Sequence, residues 1–353
     1  MLMSLVKAVA AGMLHHTGYL HRTERPALTV LGYHRVLTAP IESVTTCPLG
    51  MVATAAMFER QVEYLARVYK VVTLEQIQEA CEGGRPLPER AGYITFDDGW
   101  ADNYTVAYPI LRRLGVPATI FVTTDYIGTE REFWFTTLMR ALLEGRRPLQ
   151  ARDGREAGWP ADVAGELDRL GGLPHPLRPW HTDQLIELLK HYPEARIDAL
   201  VAALARRLDG ATARGCASLF LTWDQLREME RGGMSVASHT CTHKILTQLT
   251  DDDAAEELHR SRETLEKELG HPVVSFAFPN GDYEPRHMTI AREVGYRYFF
   301  ISTKLRPGGP EGRVFVRPCV HDLVGRGPGG SFSPSLMELH LSGVWERFRR
   351  LTK

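Results

Sequence analysis

Short apolar runs that stop abruptly at polar clusters alternate, along most of the chain, with longer stretches whose apolar residues recur at helical spacing. That alternation predicts βα units around a parallel sheet. Leu28 to Tyr33 reads as the first strand. A helix follows from about Met57, with Phe58, Val62, Leu65 and Tyr69 on one face, and Thr73 with Gln76 forms the capping box of another. Tyr93 to Phe96 is a strand, Val106 to Leu114 a helix closed by Gly115, and Pro117 to Val122 a strand. The alternation resumes at a second capping box, Thr222 with Gln225, and runs through Met234 to Ala237, Asp251 to Leu269, Val273 to Phe278 and Tyr296 to Ser302.

Two stretches break the pattern. From about 133 to 220 the sequence is helical and rich in Arg, Ala and Leu, interrupted by Gly154, Gly158, Gly171, Gly172, Pro174 and Pro176. It carries no cluster of chemical groups and reads as an insertion whose work is to shape one wall of a cleft. Past His321, the run Gly325 to Gly330 reads as a flexible linker with a tail behind it. The expected organisation is an N-terminal helical segment over 1–27, a main domain over 28–322 that contains the insertion, and a tail over 323–353.

Composition narrows the classes. The chain has 353 residues, 44% hydrophobic and 24% charged, with a net charge of -1, so it lacks the basic field that draws a protein to nucleic acid. Its five cysteines are scattered, without CxxC spacing, which argues against a disulfide framework and against a thiolate zinc site. The stretch Met1 to Leu14 is apolar around Lys7, too short to span a bilayer and lacking a signal-peptide cleavage site. Trp345, Phe348 and Leu351 stand at helical spacing beside Arg347, Arg349 and Arg350. The expectation is a cytoplasmic protein, with peripheral contact to a membrane surface as the lesser alternative.

The chemistry gathers at strand ends. Asp97 and Asp98 follow the apolar run Tyr93 to Phe96, and two adjacent buried carboxylates need positive charge beside them. His239 and His243 follow Met234 to Ala237 at i, i+4 spacing, which lets two imidazoles reach one cation. One Asp and two His make a three-ligand site with open positions, suited to a divalent metal such as Zn. His34 follows the first strand, and Pro279, Asn280 and Gly281 follow Val273 to Phe278. In a parallel barrel such ends share one face, where active sites form. Cys241, between the two histidines, is expected to point elsewhere.

Thr95 to Gly99 (TFDDG), Ser238 to His243 (SHTCTH) and Phe276 to Gly281 (FAFPNG), in this order and each after a strand, resemble the NodB-homology polysaccharide deacetylases of carbohydrate esterase family 4. The resemblance covers roughly Leu28 to Asp322. It implies a distorted (β/α) barrel, a divalent metal, usually zinc, and removal of acetyl groups from acetylated sugars. By motif, Asp97 resembles the general base, Asp98, His239 and His243 the metal ligands, and Asn280 the residue whose backbone N–H binds the oxyanion. The chain departs from the usual pattern in having Ala277 where an Arg orients the base and Asn280 in place of an aromatic residue. Its only late Leu-His pair, Leu339 and His340, stands beyond the glycine-rich run. It looks more like the branch that includes deacetylases of exported poly-N-acetylglucosamine, in which an early YH segment, here Tyr33 His34, does the work of the late histidine. Arg317 is the candidate to replace the missing Arg. His321 is the competing acid, although Pro318 argues against a central strand there.

These residue types suit amide hydrolysis. Asp97 takes a proton from the attacking water, an N–H at Asn280 meets the oxyanion, worth about 3 to 4 kcal/mol, and His34 protonates the departing amine. The expected function is metal-dependent deacetylation of hexosamine units in an N-acetylated glycan or its precursor. Hydrolysis of a small cyclic amide or ureide is the alternative among enzymes, and a catalytically silent glycan-binding protein the alternative outside them.

Overall fold

A computed structural model describes residues 9, 11–14, 16–17, 20, 27–150, 159–210, 218–302 and 313–344. The chain divides into two compact units, one made of 1–38, 53–127 and 220–353, the other of 39–52 and 128–219.

The first unit is built on strands β1 (Leu28–Tyr33), β2 (Arg35–Leu37), β3 (Val52–Thr54), β4 (Lys70–Val71), β5 (Ala91–Phe96), β6 (Thr119–Val122), β7 (Ser235–Ser238), β8 (Ser275–Ala277), β9 (Tyr298–Ser302) and β10 (Val314–Arg317). One sheet runs β1-β5-β6-β7-β8-β9-β10, with β4 added beside β5, and its neighbouring strands are parallel. β2 and β3 form a separate two-stranded sheet. The main sheet curls back on itself just past β10. There Gly32 N donates to Pro318 O at 3.0 Å, and Val320 N donates to Gly32 O at 2.7 Å. The result is a nearly closed parallel-strand barrel with flanking helices.

The expectation drawn from Pro318 holds, since β10 ends at Arg317 and only an isolated bridge at Cys319 follows. A proline breaks a ladder by lacking an N–H, but the rungs to β1 use the carbonyl of Pro318 and the N–H of Val320. The missing donor is never called on.

Alternate strand residues face opposite sides of the sheet, and two apolar clusters reflect that. Val30, Tyr93, Phe121, Ala237, Ala277 and Phe300 pack together on one side. Leu31, Ile94, Ile120, Val236, Phe276 and Phe299 pack with the helices on the other. The helix Ala55–Val68 buries Phe58, Val62 and Leu65 against the sheet, as its spacing predicts. Both predicted capping boxes form, at Thr73 with Gln76 and at Thr222 with Gln225. The helix Asp251–Leu269 has the predicted bounds. The predicted helix over Val106 to Leu114 begins instead as a π-helical turn, Asn103–Ala107, that leads into Tyr108–Leu114 and ends on Gly115 in the left-handed region.

The glycine-rich run also departs from expectation. Gly325 (φ 76°) and Gly330 (φ 82°) supply left-handed turns, and Arg326 bridges Phe332 across a tight hairpin. The following helix, Pro334–Leu341, is capped by Ser333 and buries Met337 and Leu339. These glycines close turns rather than lend slack. The helical segment expected over 1–27 lies mostly outside the described residues, but Ala11 and Leu20 pack on Leu336 and Leu339. The aromatic and basic stretch from Trp345 lies wholly outside them. Among the described residues no helix is long and apolar enough to cross a membrane.

The second unit is helical, with helices Trp134–Glu144, Ala161–Gly171, Asp183–Leu189 and Glu194–Arg207. It recruits a stretch from before the insertion: Thr136 Oγ1 donates to Thr46 O at 2.7 Å, and Thr45 Oγ1 to Glu144.

Candidate metal centre and active site

Parallel register sets the site. β1 pairs with β5 so that Tyr33 stands opposite Phe96, and the next residues, His34 and Asp97, emerge side by side. Asp97 N still donates to Tyr33 O at 3.0 Å. Across the sheet Val122 stands opposite Ser238, and His239 N donates to Val122 O at 2.9 Å. Carboxyl ends of parallel strands share one rim, so residues far apart in sequence meet there.

Two adjacent strand residues would point to opposite faces. Asp97 continues the strand, while Asp98 leaves it with φ 74°, a left-handed conformation that Asp tolerates better than bulky residues do. Gly99 follows at φ 84°, where a Cβ would sit 2.8 Å from Ile127 Cδ1. The turn needs glycine there for both reasons.

Asp98 is fully buried. Its Oδ2 accepts the indole N–H of Trp100 at 2.7 Å. Its Oδ1 has no hydrogen-bond donor among the described residues, and instead faces His243 Nε2 at 3.3 Å and His239 Nε2 at 3.6 Å. One ligand atom from each of the three lies within 4.8 Å of the others. His239 Nδ1 lies 2.8 Å from Ala277 O, which fixes the proton on that nitrogen and turns the Nε2 lone pair toward Asp98. Burial lowers the His239 pKa to about 4, so the ring is neutral near pH 7. Burial works against charge on Asp98, but the facing His243 outweighs it and holds the carboxyl below its ordinary range. A buried, donor-free carboxylate oxygen between two imidazole nitrogens fits a divalent cation.

Structure beneath these ligands holds them. The turn between the two histidines is clamped by Glu257 of the helix Asp251–Leu269, which accepts from Cys241 N (3.0 Å), Thr242 N (2.9 Å) and Thr242 Oγ1 (2.6 Å). His243, itself at φ 64°, donates its N–H to Thr240 Oγ1 at 3.0 Å. Cys241 points away, with Sγ 3.4 Å from Glu257 O, and burial pushes its thiol up to about 12. Trp100 lies under the Arg35 guanidinium, 4.4 Å from the ring centroid, and Arg35 pairs with buried Asp102 at 2.8 Å. Neither Glu257 nor the Arg35, Trp100 and Asp102 group was foreseen from sequence, although two of these four, Arg35 and Trp100, directly follow the recognisable motifs.

Asp97 is served from the other direction. Arg317, at the end of β10, binds its Oδ1 at 2.5 Å and lies over Phe121, with its guanidinium carbon 5.2 Å from the ring centroid. Burial raises the Asp97 pKa, and Arg317 and the nearby imidazoles bring it below the ordinary value. His34 Nε2 stands 3.7 Å from Asp97 Oδ2, longer than a direct hydrogen bond. The His34 main chain is fixed by Asn103 Nδ2, which donates to its carbonyl at 2.8 Å. Burial lowers its pKa, but Cys319, Asp98 and Asp97 outweigh burial and bring it up to about 9.

The Pro279–Gly281 turn follows β8 on the same rim, with Asn280 at φ 56° and its side chain tied to Asp282. Gly281 is obligatory, because a Cβ would lie 2.1 Å from Ser302 Cβ. His321, the competing acid, has its ring nitrogen Nδ1 3.3 Å from Leu323 N and its carbonyl on Gln61. His340 stands on the helix Pro334–Leu341.

A barrel with a buried Asp-His-His cluster and a second carboxylate on its carboxyl rim offers three groups that could hold one cation and a separate acid–base group beside them. The family model described as "Polysaccharide deacetylase" matches residues 84–163 and 176–299, more than half of the chain. The chain belongs to that family. Over 78 residues it is 43% identical to the poly-beta-1,6-N-acetyl-D-glucosamine N-deacetylase of Escherichia coli (strain K12), a match covering 22% of this chain and 12% of that protein. The chain thus spans only a small part of that relative's length. The fold is similar to that of the deacetylase PplD from Streptococcus pyogenes, solved in complex with acetate (TM-score 0.53, 18% identity, 88% of this chain and 96% of that one). It is similar also to that of IcaB from Ammonifex degensii (TM-score 0.51, 20% identity, 83% and 91%).

Proposed function

We infer that this protein is a metal-dependent deacetylase that hydrolyses the N-acetyl amide of glucosamine units in a poly-N-acetylglucosamine type of glycan. The observation that carries the reading is the buried Asp98, His239 and His243 cluster with the unligated carboxylate of Asp97 beside it. The likeness to the Escherichia coli deacetylase supports the choice of glycan.

Asp98, His239 and His243 would hold the cation. When bound, such a cation polarises the acetyl carbonyl and lowers the pKa of water toward about 7, and zinc suits two imidazoles and one carboxylate. Asp97 accepts a proton from the water that attacks the acetyl carbon, and Arg317 keeps the carboxylate ionised and aimed before that transfer. The backbone N–H at Asn280 donates to the oxygen that gains charge. His34 gives its Nε2 proton to the sugar nitrogen as the carbon–nitrogen bond breaks, leaving acetate and a free amine. An imidazole with a pKa near 9 carries that proton at neutral pH.

Acetate release over a panel of acetylated oligosaccharides, β-1,6-linked N-acetylglucosamine oligomers included, tests the reading. Turnover on these oligomers that is lost to a chelator and restored by Zn is expected. Activity indifferent to the chelator, or full metal stoichiometry in His239→Ala, would overturn it.

A further inference from the structure

One exposed thiol stands inside this constellation. Cys319 Sγ lies 3.7 Å from His34 Nδ1, within reach of a sulfur hydrogen bond. The approach is set by the backbone, because the bridge that closes the barrel pairs Gly32 with Cys319, and His34 stands two residues beyond Gly32. The two hydrogen bonds on either side of that bridge, from Gly32 N to Pro318 O and from Val320 N to Gly32 O, fix the register. Asn103 holds the carbonyl of His34. The imidazole therefore has Cys319 at Nδ1 and Asp97 at Nε2.

We propose that Cys319 is the positioning residue for His34, its sulfur holding Nδ1–H so that Nε2 is the nitrogen that gives up the proton, and that the same contact makes the site sensitive to thiol-directed electrophiles. An acid needs one defined tautomer once its proton has gone. With Nδ1–H on the sulfur, the neutral ring left after transfer carries its hydrogen on Nδ1 and a lone pair on Nε2. The contact also works in reverse. A cysteine beside a cationic imidazole stands in the kind of electropositive surroundings that reactive cysteines share. With an alkyl iodide the sulfur forms a bond to carbon, iodide leaves, and the thiol proton passes to solvent. The added group stands against His34 and stops turnover.

The positioning role rests on the deacetylase reading, whereas the thiol–imidazole contact does not, and the test separates the two. Iodoacetamide alkylation is followed by peptide mass spectrometry at Cys319 against Cys81, a reference on the helix Leu74–Cys81. In His34→Gln the ratio of the Cys319 rate to the Cys81 rate should fall about ten-fold. An unchanged ratio overturns the contact, whether or not the wild type releases acetate. On an acetylated glycan, Cys319→Ala should lower kcat about ten-fold with KM and metal content unchanged, and Cys319→Asn, which restores a polar partner for Nδ1, should recover most of it. In the His34→Ala background Cys319→Ala should cost nothing more. A full additional loss in that background, or a loss spread over metal content, would make Cys319 a structural residue only. A wild type that releases no acetate from any glycan sinks the deacetylase reading, and the alkylation ratio still decides the contact.

Discussion

Asp97 and Asp98 are chain neighbours held in opposite ways. Asp98 is held by Trp100, two residues on, and faces one compact turn from far along the chain, where His239 and His243 are clamped by Glu257. Asp97 depends on distant elements, Arg317 from the last strand and His34 from the first. The Asp98 half of the site thus needs only strands β5 to β8, while the Arg317 contact in the Asp97 half exists only once β10 has returned beside β1. Damage to closure should spoil proton transfer first and metal binding last.

The largest effect expected is at the hinge between the halves. Asp97→Asn keeps size and removes the base, so kcat should fall about 1,000-fold, within the range for a lost general base, while metal content stays whole. Elemental analysis alongside initial rates checks it. Loss of metal in step with activity would make Asp97 a ligand and erase the distinction between the halves.

His34→Ala comes next. Turnover of an N-acetyl amide should fall about 100-fold, with metal retained. An activated acetyl ester, whose leaving group needs little protonation, should lose much less. Equal losses on the two substrates would show that His34 does not deliver the proton.

Arg317→Met probes distant support directly. It leaves the buried Asp97 carboxylate without its cation, a change that costs about 3 to 5 kcal/mol where the charge persists. We expect kcat to fall about 10- to 100-fold with metal affinity unchanged, read from rates and from a metal titration in the same preparation. Weakened metal binding in this variant would couple the halves more tightly than their geometry implies.

The same division governs what the sequence discloses. Asp97, Asp98, His239 and His243 are legible because each pair sits in a short motif after a clear strand, and a metal site demands recognisable residue types. The barrel is legible for a similar reason: its parallel strands are short apolar runs between helices. Arg317 and His34 could be nominated but not joined, because their meeting depends on β10 returning beside β1, which no local pattern records. Pro318 ends the strand as read, and the closing bonds pass through its carbonyl and the N–H of Val320. Cys319 carried no signal, since a cysteine two residues past Arg317 looks like any other. Glu257 is six residues into a helix whose spacing announces only packing. The run from Gly325 to Gly330 read as slack because glycine marks both linkers and tight turns, and the contacts of the following helix decide between them.

Local support should give the smallest of these effects, and it offers the sharpest test of the comparison. Trp100 donates to Asp98 Oδ2 and leaves Oδ1 as the oxygen turned toward the imidazoles. Trp100→Phe keeps the ring stacked against Phe220, with centroids now 4.9 Å apart, and beneath Arg35, but removes the N–H. The carboxylate then loses the bond that fixes its rotation, and outer-shell losses of this kind weaken metal binding by about 10- to 100-fold. With the stack retained we expect the low end, about ten-fold, measured by competition against a chromophoric chelator. At saturating metal kcat should return close to the wild-type value, because Asp97, Arg317 and His34 are untouched. That restoration separates this variant from Arg317→Met, which no excess of metal should rescue. If Trp100→Phe instead lowers kcat at saturating metal as far as Arg317→Met does, the two carboxylates act as one unit and the division between local and distant support fails.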